Sequence, residues 1–485
     1  MSTRTPDPSG RAEQRVEIRG LGTRIVAAAL LAYALGGCML LGPNYKRPEV
    51  SLPDAYPDAS SASAGPSVPT DWWRLYSDPG LDNLVASGLQ KNSDLKLAIA
   101  RMEEAEALVR EANATFLPEI DLNASAGRSR ASTRTGTLPP TVAVIRNNFL
   151  ISANTSFELD FWGRLRRGRE AAFAQYAASR YGHDVVRLTL AASIAQTYFN
   201  IRALDAQIIV SNETLKAAED SLDIANARAQ AGVSSDLDVN QADANRAQVA
   251  AQIKELRRLR ALASHLLGVF TGVLDLDIPP ADVWQLPVPP LPPAGLPSTL
   301  LERRPDLRQA EATLMSANAQ IGVARAAQFP TLSLTGALGV QSRDLSTLTS
   351  SGAGIWSIGL GIVGPILDWG RYAARTQQAE ARAKEAAAVY EKTAQTAFRE
   401  VADALSNVRL AAETEQDLRD RVERANNTLR LATQRYRAGY SAYLEVLDAQ
   451  RTHNEAQLSL ARNRQAYLAY TVDLMNALGG GWTPY

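Results

Sequence analysis

Few residues of this 485-residue chain could do chemistry. His183, His265 and His453 stand in separate stretches without the spacing of metal ligands, and solvated or core histidine is the default reading. No glycine-rich loop leads into Lys-Ser/Thr, and there is no paired-cysteine or His-Glu-x-x-His motif. An enzyme is therefore not expected, nor a cofactor, because no residue set offers a reaction anything to rest on. Glu445 and Asp448 are three residues apart, so on a helix they share a face. Asp238 and Gln241 occupy the matching positions 207 residues earlier, so only the later pair keeps both acids. Cys38 is the sole cysteine, which rules out an intramolecular disulfide. Beyond residue 37 the chain carries 46 basic against 48 acidic residues. That balance gives no support for nucleic-acid binding.

The elements around these residues begin with a leader. Arg11, Arg15, Arg19 and Arg24 precede the apolar run Ile25 to Leu35, followed by Leu35-Gly36-Gly37-Cys38. A basic region, an apolar core and small residues at the cut describe an export signal over 1–37. The ending resembles a bacterial lipobox, which implies a lipid on Cys38. Met39 rather than Asp after it resembles lipoproteins sorted to the outer membrane. Two other readings stay open: an ordinary buried thiol, or a single membrane span over Ile25–Gly42.

The rest of the chain is a duplication. Trp162-Gly163-Arg164 recurs as Trp369-Gly370-Arg371, and Arg228-Ala-Gln-Ala-Gly232 as Arg435-Tyr-Arg-Ala-Gly439, both at an offset of 207. Upstream, Asp94-Leu95 matches Asp306-Leu307 and Phe116-Leu-Pro118 resembles Gln328-Phe-Pro330, at an offset of 212. The expected organisation is an N-terminal segment 38–92, a first repeat 93–278, a linker 279–297 and a second repeat 298–482. The linker holds eight prolines in nineteen residues and should be an extended spacer. The Ser-, Ala- and Pro-rich stretch 51–70 reads as a similar arm after the anchor.

Within each repeat the hydrophobic period changes. Alternation predicts strands at about 119–127 and 149–159, then at about 331–341 and 355–364. Ten-residue alternating strands suit a membrane barrel, although hairpins of a soluble sandwich share the pattern. Prolines are absent from Thr141 to Ile278 and from Ile366 to Thr483, and Ala, Arg, Glu, Gln and Leu dominate. Helices are expected over 165–231 and 233–267, then 371–438 and 440–478. The first of each pair would be about 100 Å long. Gly232 and Gly439 are positioned to end those helices, with Ser234 and Ser441 as N-caps of the next. Four strands cannot close a barrel, and an open edge cannot face lipid. Three protomers would supply twelve.

The chain resembles the TolC-like outer-membrane efflux factors, in particular the NodT-type lipoprotein branch. The phrases that carry the resemblance run from Cys38 to Pro48, Phe157 to Arg164, Gly295 to Arg308, Ala324 to Pro330, Gly439 to Gln450 and Leu478 to Trp482. It implies an α+β membrane protein with internal duplication. A homotrimer would form a 12-stranded outer-membrane β-barrel, with four strands per chain, continued by a long periplasmic α-helical barrel. It further implies a periplasmic adaptor (membrane fusion) protein and an inner-membrane resistance-nodulation-division pump as partners, contact with outer-membrane lipid, and no chemistry beyond passive conduction. A protein-secretion duct or a lipid-anchored coiled-coil scaffold are the competing readings. By the same resemblance Glu445 and Asp448, with Asp238 and Gln241 as their first-repeat counterparts, narrow a periplasmic gate. Tyr436 is the family's tyrosine before the glycine, and Gly232 and Gly439 are tip turns near the adaptor. Ser441 stands where the family sometimes carries a basic residue, so no ion-pair latch is implied there. The bland reading of Glu445 and Asp448 is two solvated acids near a helix start. Trp162 and Trp369 would mark strand-to-helix transitions, at a membrane interface or as packing residues.

Overall fold

The computed structural model describes residues 40–56, 68–134, 143–289 and 300–483. Cys38, the leader 1–37 and the linker stretch 290–297 lie outside the described residues. The element order is α1 (Pro79–Lys91), α2 (Ser93–Ala114), β1 (Glu119–Arg130), β2 (Ile145–Leu159), α3 (Arg164–Gln230) and α4 (Asp236–Thr271). It continues as α5 (Leu300–Arg303), α6 (Pro305–Ala326), β3 (Thr331–Ser342), β4 (Gly354–Val363), α7 (Arg371–Arg437) and α8 (Tyr443–Ala477). The sequence α2-β1-β2-α3-α4 thus recurs as α6-β3-β4-α7-α8. Helices α3 and α7 each have 67 residues, and α2 and α6 each have 22. The 22-residue helices are not among the elements the sequence predicts. No helix among the described residues is long and apolar enough to cross a membrane.

The chain divides into two compact units, and each takes matching pieces from both repeats. One contains 105–176 and 313–386 with the described residues up to Lys46; the other contains 47–104, 177–312 and 387–485.

The first unit holds a four-stranded antiparallel sheet in the order β1-β2-β3-β4. Its hairpin registers obey the two repeat offsets. Glu119 pairs with Ser156; adding 212 to the first and 207 to the second names Thr331 and Val363, which also pair. Apolar residues on the sheet, among them Leu122, Leu338, Trp356, Ile358 and Ile362, are exposed in the single chain. Such a sheet has no apolar cover of its own and needs surroundings that supply one. Asp160 caps α3 by accepting from Leu165 N and Arg166 N, and Asp368 caps α7 by accepting from Gly370 N and Tyr372 N. The segment after Leu40 is strapped to this joint. Leu41 N donates to the Trp162 carbonyl at 3.2 Å. Arg167, 2% exposed, donates to the carbonyls of Leu41 and Gly42 and to Asn44 Oδ1 at 3.2, 3.3 and 2.8 Å.

The second unit packs helices around buried aromatic residues. Trp72, Tyr76, Tyr198 and Phe199 are enclosed, and Tyr76 meets Phe199 with ring centres 4.8 Å apart. Asp78 caps α1 through Gly80 N and accepts a bond from Tyr198 Oη. Arg304 accounts for one of the phrases singled out in the sequence: its guanidinium pairs with Asp306 and Glu400 and donates to the Ala477 carbonyl. A buried arginine needs this many partners to offset its desolvation.

Candidate functional site

Helices α3 and α7 end alike. Gly232 and Gly439 have φ of +72° and +81°. Val233 N donates to the Arg228 carbonyl and Gly232 N to that of Ala229; Tyr440 N and Gly439 N repeat the pattern onto Arg435 and Tyr436. Both are therefore Schellman turns with glycine at the left-handed position. The next helices start later than the sequence suggests, at Asp236 and Tyr443, with Ser235 and Ala442 as N-caps and no side-chain cap bond. Ser234 and Ser441 are thus not the caps. The glycine turns use them to reverse the chain, and their hydroxyls lie buried without a hydrogen-bond partner.

One apolar cluster underlies both turns. Ala225 and Ala242 from the first repeat pack with Tyr436, Tyr443, Val446, Leu447 and Ala449 from the second. Tyr436 and Tyr443 meet edge to face, ring centres 5.6 Å apart. Burial pushes both phenols up, Tyr443 to about 12, and the nearby charge of Asp238 adds to the shift in each. A polar ladder continues along the helices. Gln450 Nε2 donates to Ser221 Oγ at 2.9 Å, Asn245 Nδ2 to Gln450 Oε1 at 3.3 Å, and Thr214 Oγ1 to Asn454 Oδ1 at 3.2 Å.

Against this core the acids face outward. Glu445 lies in the first turn of α8 and Asp448 one turn on, both exposed, while Val446 and Leu447 between them are buried. Asp238 stands in the first turn of α4, and Gln241 is half-buried. First-turn carboxylates sit at the positive end of the helix dipole. Two residues absent from the sequence-derived site belong to it. Arg228 covers the Tyr436 ring, and Arg435 approaches Glu445 at 3.7 Å. These arginines are equivalent under the 207 offset, so the repeated Arg-x-x-x-Gly phrase was the available signal. With Ser441 two positions after Gly439, the cations nearest these turns come from the helices that precede the glycines.

The Trp-Gly-Arg phrases lie between β2 and α3 and between β4 and α7. Trp162 stacks on Phe329 at 4.7 Å, its Nε1 donating to the Pro330 carbonyl at 2.7 Å, whereas Trp369 is 89% exposed. Among the described residues no cluster of His, Cys, Asp or Glu could hold a metal ion; His183 lies beside Asp184 at 3.1 Å.

The sequence profile of the outer membrane efflux protein family matches residues 84–273 and again 296–480. The chain belongs to this family. It is 34% identical to the toluene efflux pump outer membrane protein TtgC of Pseudomonas putida over 467 residues, 94% of this chain and 96% of that protein. Outer membrane protein OprJ of Pseudomonas aeruginosa is likewise 34% identical, covering 94% and 96%. The crystal structure of the Campylobacter jejuni CmeC outer membrane channel superposes with a TM-score of 0.86 at 28% identity, over 91% of this chain and 95% of that one. The protein is an outer-membrane efflux channel component and not an enzyme.

Proposed function

We propose that three copies of this chain close a twelve-stranded barrel through the outer membrane, continued by a helical barrel in the periplasm, as the passive exit duct of a tripartite efflux pump. The observation that carries this reading is a four-stranded sheet whose outer strands, β1 and β4, are each paired on one side only among the described residues. Open backbone groups cannot face hydrocarbon, so the edges must find each other on other copies. The cargo is small molecules, in keeping with the toluene-pump relative.

The tip at Gly232 and Gly439 meets a periplasmic adaptor (membrane fusion) protein, and through it an inner-membrane resistance-nodulation-division pump supplies the energy. Acyl chains on Cys38 anchor each protomer in outer-membrane lipid. Glu445 and Asp448, with Asp238 and Gln241 in the first repeat, form the acidic constriction. Three copies make rings of like charge, which favour cations. The exposed Arg435 beside Glu445 tempers that charge.

The test is single-channel conductance of the purified protein in planar bilayers, against an E445A/D448A double variant. A small, cation-preferring conductance that rises several-fold in the variant supports duct and constriction. An unchanged conductance removes the gate assignment and keeps the duct; no conductance from intact trimers overturns the duct.

A further inference from the structure

The duplication makes one surface of this chain a copy of a surface already occupied within it. Strand β2 pairs with β3 across the boundary between repeats, and Trp162, just beyond β2, closes that boundary. Its ring stacks on Phe329 and its Nε1 donates to the Pro330 carbonyl, at the joint between α6 and β3. The second-repeat equivalents have no such contact. Trp369 is 89% exposed, and its φ of +54° is one that a bulky side chain rarely adopts. Leu117, which corresponds to Phe329, is 70% exposed, and Ile366 and Leu367 beyond β4 are exposed too.

The same two offsets relate contacts inside each repeat. Arg169 lies over Phe116, and their equivalents Thr376 and Gln328 are hydrogen-bonded at 2.7 Å. Since the offsets reproduce both the hairpin register and this contact, they can be applied to the boundary itself. The observed pair Thr155–Gly336 becomes Ile362 with Ala124. The observed Trp162 contact becomes Trp369 with Leu117 and Pro118.

We infer that Trp369 docks on the neighbouring protomer at the joint between α2 and β1. Its ring covers the neighbour's Leu117, and its Nε1 donates to the neighbour's Pro118 carbonyl. The ring thereby fixes the register in which β4 meets the neighbour's β1, with Ile362 opposite Ala124. A one-residue slip would turn every side chain of the strand to the wrong face. Ladder pairing ends at Pro365, which has no N–H to donate. Beyond it, Ile366 comes opposite Ile120 as an apolar contact. This inference rests on the trimer proposed above and specifies its seam.

The test is oxidative cross-linking of the full-length protein in detergent, comparing the pair I362C/A124C with the two-residue slips L360C/A124C and G364C/A124C, single-cysteine variants serving as controls. Directly opposed positions lie within disulfide reach, whereas diagonal positions do not. Covalent dimers and trimers from I362C/A124C, at least ten-fold above either slip, are expected. W369A should remove the resistance of the trimer to dissociation in SDS, and W369F should retain part of it; circular dichroism of each variant checks that the protomer still folds. Cross-linking at a slip position, or a trimer unaffected by W369A, overturns the inference while leaving the trimer standing. A monomer by light scattering for the unaltered protein overturns the trimer, and the seam with it.

Discussion

Arg228 Nη1 donates to the backbone carbonyl of Tyr436 at 2.8 Å, and the same guanidinium lies 4.7 Å from the centre of the Tyr436 ring. The last carbonyls of a helix lack intrahelical partners and carry the negative end of its dipole. The final turn of α3 thus supplies a cation to the final turn of α7. One side chain ties the first glycine turn to the second, and Tyr436 presents it with both a face and an acceptor.

Replacing Arg228 with Met keeps the aliphatic stem and removes both contacts. A cation–π contact and a charged hydrogen bond together are worth about 1–3 kcal/mol. The variant should therefore loosen the tip without unfolding the protein. Limited proteolysis near Gly232 and Gly439 should quicken several-fold, and single-channel conductance should rise. Proteolysis and conductance both unchanged would show that the contact does not hold the tip.

Gly439→Ala isolates a backbone cost, because no atom lies within 4 Å of the position its Cβ would take. A left-handed conformation costs a residue with a Cβ about 1 kcal/mol. Thermal melting should fall by a few degrees, with Gly439→Asn falling less because asparagine tolerates this conformation better. A fall for Asn no smaller than that for Ala would show that the left-handed conformation is not the source of the cost.

Much of this architecture is legible in the chain. Two offsets read from short phrases carry through to strand registers and to the placing of both glycine turns. The helices Ser93–Ala114 and Pro305–Ala326 are harder to see. Leu95, Ala98, Ala105 and Val109 are buried at helical spacing, but Leu97 and Leu108 are exposed, which blurs the apolar stripe. The site is half legible. Glu445 and Asp448 are candidates through the family resemblance, and their spacing places them on one face, whereas the repeated Arg-x-x-x-Gly phrase marks Arg228 without showing which residue, 208 positions away, it meets.

Tyr443 is 0% exposed, and its hydroxyl has no hydrogen-bond partner. A fully enclosed hydroxyl cannot be served by a neighbouring protomer either. Tyr443→Phe removes an unpaired polar atom and keeps the ring that meets Tyr436. Melting temperature should hold or rise, by up to about 1 kcal/mol of added stability. A clear loss would show that a buried water serves the hydroxyl.

His453 lies half-buried on α8, and burial holds its imidazole below its ordinary value near 6.5, with Glu213 opposing. Above that value both folded and unfolded chains keep the ring neutral. As pH falls through it, the unfolded chain takes up the proton first, so stability declines until the folded state also protonates. His453→Gln should flatten the melting curve as a function of pH below 6.5 and leave it unchanged at pH 8. Equal slopes in variant and parent would assign the acid limb to other groups.

The strap at Leu41–Asn44 has a mechanical meaning. Arg167 grips it by three bonds, Leu41 N adds a fourth to the Trp162 carbonyl, and the Gly42 backbone lies so close to Gly322 that no side chain fits between them. Tension applied upstream of Leu40 would therefore meet four bonds within four residues, and Arg167 would pass the load into the start of a 67-residue helix.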